Sequence, residues 1–248
     1  MQKQKSDAVA PPSAYSDVEF TGEFFVPGRS GDRIEADHME RYKFSRKFAS
    51  GRSVLDIACG LGYSAPIFME AGSVEYVGVD ISAEQVDQAN RRYGSTLVKY
   101  LVGNICNFNP ARTFGLIVCF ETIEHVSEYR EALGNLYKLL DDDGVLLIST
   151  PNRPVTSPHI KSILDKPDNE YHTQEFTPRE LREALRSSGF KVNDSELYGQ
   201  RQRFAGKSRI ARKLRRIAGL NPDETSPPTV EPVHFRTPRY FLLRATKR

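Results

Sequence analysis

Cysteine is scarce in this sequence, long apolar runs are missing, and neither sign of charge dominates. Cys59, Cys106 and Cys119 stand singly in or beside apolar stretches, without the paired spacing of a metal site. That pattern suits buried thiols in a reducing compartment rather than a disulfide framework. No apolar run approaches the roughly 20 residues needed to span a bilayer, so no transmembrane segment is expected. Met1 to Ala14 is polar, carries two prolines and lacks the apolar centre of a secretory signal; it reads as a disordered leader of a cytoplasmic protein. The formal net charge of +3 is too small to argue for nucleic acid by itself. No internal repeat is visible, and 248 residues allow one sizeable domain with decoration but not two of ordinary size.

What is present, from Gly51 onward, is an alternation of short β-rich runs with segments of helical period. This predicts a Rossmann-like, doubly wound α/β fold: a mostly parallel, seven-stranded sheet with helices on both faces. The strand candidates are Ser53–Ile57, Glu75–Val79, Thr96–Leu101, Gly115–Phe120 and Gly144–Thr150, with helices expected over Ser64–Ala71, Ala83–Tyr93 and Glu128–Leu140. Ser82 with Gln85, and Thr177 with Pro178 and Glu180, read as capping boxes that start two helices. The helix from Pro178 to about Ser188 should lead into a strand near Lys191–Leu197, and Arg239–Ala245 should be the final strand. Ile34–Ala49 is an amphipathic helix candidate placed to cover a ligand mouth. The expected organisation is therefore a leader (1–14), an N-terminal cap (15–50), a core (51–199), a basic helix with a mobile insertion (200–232) and the closing strand (233–248).

Val54-Leu55-Asp56-Ile57-Ala58-Cys59-Gly60-Leu61-Gly62-Tyr63 is an apolar strand that ends in a glycine-bearing turn and opens a helix. Gly60 and Gly62 can adopt backbone angles closed to other residues and let the main chain approach a ligand. Asp80 ends the second strand about 20 residues later, the spacing at which a carboxylate accepts ribose hydroxyls in Rossmann-type sites. The turn lacks the third glycine of G-x-G-x-x-G, which argues against a dehydrogenase. Over about Gly51 to Thr150 the sequence resembles the class I S-adenosylmethionine-dependent methyltransferases, whose first motif is the D-x-x-C-G-x-G turn seen at Asp56–Gly62. The resemblance implies S-adenosylmethionine as cofactor, with Ala58, Cys59 and Gly60 along its methionine part and Asp80 on its ribose. It also places Ile81 beside the adenine, with Asn104 and Ile105 at the adenine edge. Asp56, Gly62, Tyr63, Phe120 and Tyr42 complete the expected cofactor set.

After the fourth strand comes Phe120-Glu121-Thr122-Ile123-Glu124-His125. Glu121 and Glu124 share a face of a helical turn, and His125 lies one turn from Glu121. Two carboxylates and an imidazole can ligate Mg²⁺, Mn²⁺, Zn²⁺ or Fe²⁺, with His172 in the long loop Pro151–Phe176 as a fourth donor. The order E-x-x-E-H, then Ser149-Thr150-Pro151-Asn152, then a histidine before F-T-P-R-E-L is similar to the Hen-type small-RNA 2′-O-methyltransferases. Ubiquinone-biosynthesis O-methyltransferases are similar in the first part. The Hen-type resemblance implies a divalent cation on Glu121, Glu124, His125 and His172 that binds the hydroxyls being methylated. The alternative is a hydrogen-bonded acceptor pocket without metal, in which His125 or His172 is the base.

Phe20–Gly28, with His38 and Arg41-Tyr42 further on, resembles a lead-in of bacterial methyltransferases from polysaccharide and natural-product clusters. Arg41 and Tyr42 either close over the methionine carboxylate or, respectively, stay solvated and pack the helix onto the core. Between Arg201 and Arg216 there are eight lysines or arginines and no acids, in outline a basic amphipathic helix. It either meets phosphate, on RNA, a lipid-linked glycan or a membrane surface, or is a solvated cover helix. The leading expectation is an O-methyltransferase acting on a hydroxyl of a sugar, glycoconjugate or small metabolite. RNA 2′-O-methylation, N-methylation of an amino sugar and a non-catalytic cofactor-binding subunit are the competing readings.

Overall fold

The computed structural model describes residues 15, 16, 18, 25–201, 228–233 and 237–247. The expected leader and nearly all of the basic segment lie outside the described residues. Eight strands form one sheet: β1 (Ser53–Ile57), β2 (Glu75–Asp80), β3 (Val98–Val102), β4 (Phe114–Phe120), β5 (Leu140–Pro151), β6 (Leu197–Arg201), β7 (Thr229–Pro232) and β8 (Tyr240–Thr246). Among the described residues six helices accompany them: α1 (Asp32–Ser45), α2 (Ala65–Glu70), α3 (Ala83–Tyr93), α4 (Tyr129–Leu139), α5 (Arg153–Thr156) and α6 (Pro178–Ser187). The strand order is β3-β2-β1-β4-β5-β8-β6-β7; β1 to β5 pair in parallel, and β8, β6 and β7 pair antiparallel. The fold is the expected Rossmann-like one, with eight strands rather than seven.

β1 and β4 are buried on both faces, which is why they read as unbroken apolar runs. Successive residues feed opposite cores. Val54, Leu116 and Val118 pack with Tyr42, Phe68, Tyr76 and Tyr100 on one face, while Leu55, Ile57, Ile117 and Cys119 pack with Leu133, Leu136, Leu181 and Leu185 on the other. Order reverses between β1 and β4, so a crevice opens at the carboxyl ends of these strands, the place where ligands bind in open α/β sheets.

Several boundaries differ from the expectation. The strand expected near Lys191–Leu197 is a single bridge between Lys191 and Thr246, then a short 3₁₀ turn at Asp194–Glu196, and β6 starts only at Leu197. Residues 194 to 196 are polar and give no apolar face to a strand. Thr229–Pro232, expected within a mobile insertion, forms β7 against β6. Its proline closes an edge strand, where the missing N–H costs no ladder bond. The N-terminal helix ends at Ser45, and a 3₁₀ turn carries the chain on through Phe48. Among the described residues no helix is long and apolar enough to cross a membrane.

Candidate active site

The turn after β1 is bent by three positive φ angles in five residues, at Ala58 (60°), Gly60 (53°) and Gly62 (75°). A Cβ on Gly62 would come within 2.5 Å of the Tyr100 ring, whose hydroxyl donates to the Gly62 carbonyl at 2.7 Å, so this glycine is required by space as well as by angle. The turn is tied to the end of β2 by the Gly60 N–H, which donates to Asp80 Oδ2 at 2.8 Å, while the Ser82 N–H donates to Asp80 Oδ1 at 3.0 Å. Burial raises the Asp80 pKa, and these backbone donors work against that rise. Each carboxylate oxygen keeps acceptor capacity toward the cavity, which fits paired ribose hydroxyls.

Asp56 has a different place from the one expected. It is fully buried behind the turn, where Ser64 Oγ donates at 2.5 Å, Tyr76 Oη at 2.8 Å and Tyr42 Oη at 3.3 Å. Burial pushes its pKa up to about 7, opposed by those three hydroxyls. Neither Asp56 nor Gly62 lines the cavity; they support the wall that Ala58, Cys59, Gly60 and Tyr63 form. Tyr42 joins both roles. It lines the cavity, packs edge-on against Tyr63, Phe68 and Phe120, and reaches Asp56. Arg41 is buried rather than solvated: it donates to Gln200 Oε1, sits over the Tyr240 ring and lies 4.0 Å from Glu121. His38 stacks on Phe25 and contacts Tyr63 Oη, and burial followed by the Arg41 charge holds its pKa well below the usual value. Ile81 is exposed at the rim, Ile105 is buried, and Asn104 Oδ1 accepts from the Cys106 N–H at 2.8 Å.

The same cavity, of about 1100 Å³, runs on past Phe120 to Glu121, Glu124, His125 and His172. Glu121 is a non-glycine residue at φ 49°, a strained angle of the kind that gathers at functional sites. The Ser149-Thr150-Pro151-Asn152 motif now has a physical meaning. Ser149 Oγ donates to Glu121 Oε1 at 2.7 Å and Thr150 Oγ1 to Glu124 Oε2 at 3.0 Å, so the end of β5 orients both acids. Asn152 Nδ2 meanwhile ties β5 to the Pro238 carbonyl. Burial, then the neighbouring Glu121, drives the Glu124 pKa well above the carboxylate range.

The long loop is stapled onto this turn. The Thr173 N–H and hydroxyl both donate to the Glu124 carbonyl, and Gln174 Nε2 donates to the carbonyls of Ile123 and Val126. His172 therefore sits against His125, ring centres 4.9 Å apart and edge to face. Ligand atoms of Glu124, His125 and His172 lie within 4.8 Å of one another, and Glu121 falls outside that group, so the expected four-donor set is reduced to three. Glu175, which sequence reasoning passed over, accepts from His172 Nδ1 at 2.8 Å; its pKa is lowered because hydrogen bonds from His172, Thr156 and Ser157 outweigh the opposing effect of burial. Tyr240 and Gln200 were also missed. Tyr240 reaches the cavity from far along the chain, while Gln200, paired with it across β6 and β8, accepts from Arg41 and donates to the Asp37 carbonyl; no local motif marks either.

A family model described as a methyltransferase domain matches residues 36–195. This chain belongs to the S-adenosylmethionine-dependent methyltransferases. Over 182 residues the methyltransferase is 31% identical to a probable S-adenosylmethionine-dependent methyltransferase of Mycolicibacterium smegmatis, covering 73% of this chain and 68% of that one. It is 32% identical over 116 residues to a ubiquinone biosynthesis O-methyltransferase of Bradyrhizobium, where the match spans 46% of each chain. A solved methyltransferase of Thermotoga maritima, titled a possible histamine N-methyltransferase, shares the fold at a TM-score of 0.59 and 18% identity, covering 87% of this chain and 92% of that one.

Proposed function

We propose that this enzyme methylates a hydroxyl oxygen of a sugar, glycoconjugate or other small metabolite, with His172 accepting the hydroxyl proton. The observation that carries this reading is the Glu175–His172 pair: a buried imidazole backed by a carboxylate at 2.8 Å, on the wall of the cavity that begins at the Gly60–Asp80 cradle. The cradle residues would hold S-adenosylmethionine, with Asp80 on the ribose. When bound, that cofactor supplies a methyl group activated by a sulfonium, which departs as a neutral thioether. What remains for the protein is orientation and proton removal. An alcohol keeps its proton at neutral pH, so an oxygen acceptor requires a base where an activated donor alone does not suffice. As the O–CH₃ bond forms, the hydroxyl proton passes to His172 Nε2, and Glu175 stabilises the resulting imidazolium. The name of the Bradyrhizobium relative, an O-methyltransferase, supports an oxygen acceptor.

A second reading of the same chemistry is favoured by the Glu124, His125 and His172 cluster. A divalent cation there would restore a counter-charge to the buried acids and acidify the bound hydroxyl. Two imidazoles and one carboxylate suit Zn²⁺ or Fe²⁺ better than Mg²⁺. Methyl transfer from labelled cofactor to a panel of saccharide, phenol, amine and RNA acceptors, with and without chelator, tests both readings. We expect transfer to a hydroxyl and a loss of 10²- to 10⁴-fold in His172→Ala, the range of general-base catalysis. Full activity after chelation removes the cation; transfer to amines alone overturns O-methylation.

A further inference from the structure

We infer that Asn169 is a positioning residue for the transfer: its amide fixes the tautomer of His172 and stands where the acceptor hydroxyl goes. The inference rests on His172 being the proton acceptor proposed above. Three contacts lead to one assignment. The Tyr171 N–H, which can only donate, points at the Asn169 side chain at 3.1 Å, so the arm it meets is Oδ1. The other arm, Nδ2, then faces His172 Nε2 at 3.0 Å. An amide nitrogen only donates, so Nε2 accepts and the ring proton is on Nδ1, where Glu175 Oε1 receives it at 2.8 Å. Turning the amide over would set N–H against N–H at Tyr171 and oxygen against a lone pair at His172.

The same short turn orders the second imidazole. His125 Nδ1 lies 2.9 Å from the Tyr171 carbonyl, which can only accept, so this ring also carries its proton on Nδ1. Residues 169 to 172 thus direct the Nε2 atoms of both rings to a common role as acceptors. Asn169 is itself exposed and lines the cavity, unlike Glu175 behind the ring. Its hydrogen bond to Nε2 joins two neutral groups and is weaker than a charge-assisted one. An acceptor O–H can therefore replace the Asn169 N–H on the same lone pair, while Oδ1 stays tethered to Tyr171. Before acceptor arrives, the amide keeps the ring from turning or changing tautomer.

The test is a long-range proton–nitrogen spectrum of the full chain labelled with ¹⁵N in its imidazoles, at about pH 8 where ordinary histidines are neutral. The chain has five histidines, and His172 is assigned by the signals lost in His172→Gln. We expect the Nδ1–H tautomer at His172 in the parent, with Nε2 at the shift of a hydrogen-bonded lone pair. In Asn169→Ala that Nε2 signal should move to the position of an unbonded acceptor. Kcat of the variant should fall 10- to 100-fold, the effect of losing an orienting partner, with KM for S-adenosylmethionine unchanged. A His172 proton on Nε2 in the parent, or an unaltered Nε2 signal in Asn169→Ala, overturns the inference. The spectrum needs no acceptor, so an enzyme that shows the expected tautomer yet methylates no hydroxyl refutes the O-methylation reading alone.

Discussion

Asp80 has two duties at one carboxylate. It fastens the Gly60 and Ser82 amides, and it presents the remaining lone pairs to the cavity. Replacing it with alanine removes both, whereas asparagine keeps one oxygen for a backbone donor. Charge-assisted hydrogen bonds contribute roughly 1.5–3 kcal/mol each. Isothermal titration with S-adenosylhomocysteine should therefore show Asp80→Asn weakened by at least tenfold and Asp80→Ala by more. Parent-like affinity in the alanine variant would remove Asp80 from the cofactor site. Asp56 lies only a few residues from the turn but answers a different demand: three hydroxyl donors converge on it from Tyr42, Ser64 and Tyr76, so it joins α1, the helix start and β2 beneath the cradle.

At the scale of elements, α6 is placed by its first turn. Thr177 and Glu180 form a complete capping box, and Glu180 is also paired with the buried Arg153 of α5, which in turn holds the Glu175 carbonyl. The cap thus anchors the loop that carries His172. Thr177→Ala should cost about 1 kcal/mol through the lost cap and lower Tm by roughly 2–4 °C, measurable by calorimetry. An unchanged Tm would mean that Arg153 alone secures the helix start. The Ser82 hydroxyl caps α3 in the simpler way, accepting from the Gln85 N–H.

For the whole molecule, the buried acids make stability depend on pH. Asp56 has a folded-state pKa of about 7 against an ordinary 3.8, so the folded protein holds this proton more tightly than the unfolded chain. Its contribution is fully present below about pH 4 and is lost as pH rises toward 7. At about 1.4 kcal/mol per pKa unit the shift amounts to something on the order of 4 kcal/mol. Glu124, raised by burial and by Glu121, acts in the same direction. Urea unfolding of the parent should show a midpoint that falls from pH 5 to pH 7.5, with a shallower fall in Asp56→Asn. Identical slopes in the two proteins would exclude Asp56 as a source.

The sequence by itself determined the strands with two buried faces, the glycine turn, the carboxylate ending β2 and the two helix caps. Each of these is a local demand: an apolar run, a positive φ, a spacing or a side chain that reaches its own backbone. Neighbouring residues alone satisfy such demands, so one stretch of chain displays them. Tertiary structure decided the rest. Asp56 belongs to the cofactor motif in sequence, yet its burial depends on tyrosines from α1 and β2. Glu121 and Glu124 look equivalent three residues apart, but β5 and the His172 loop draw Glu124 into the imidazole cluster and leave Glu121 facing Arg41. The roles of Glu175, Asn169 and Tyr240 come from contacts between distant segments, and β7 exists as a strand only because β6 supplies its hydrogen bonds.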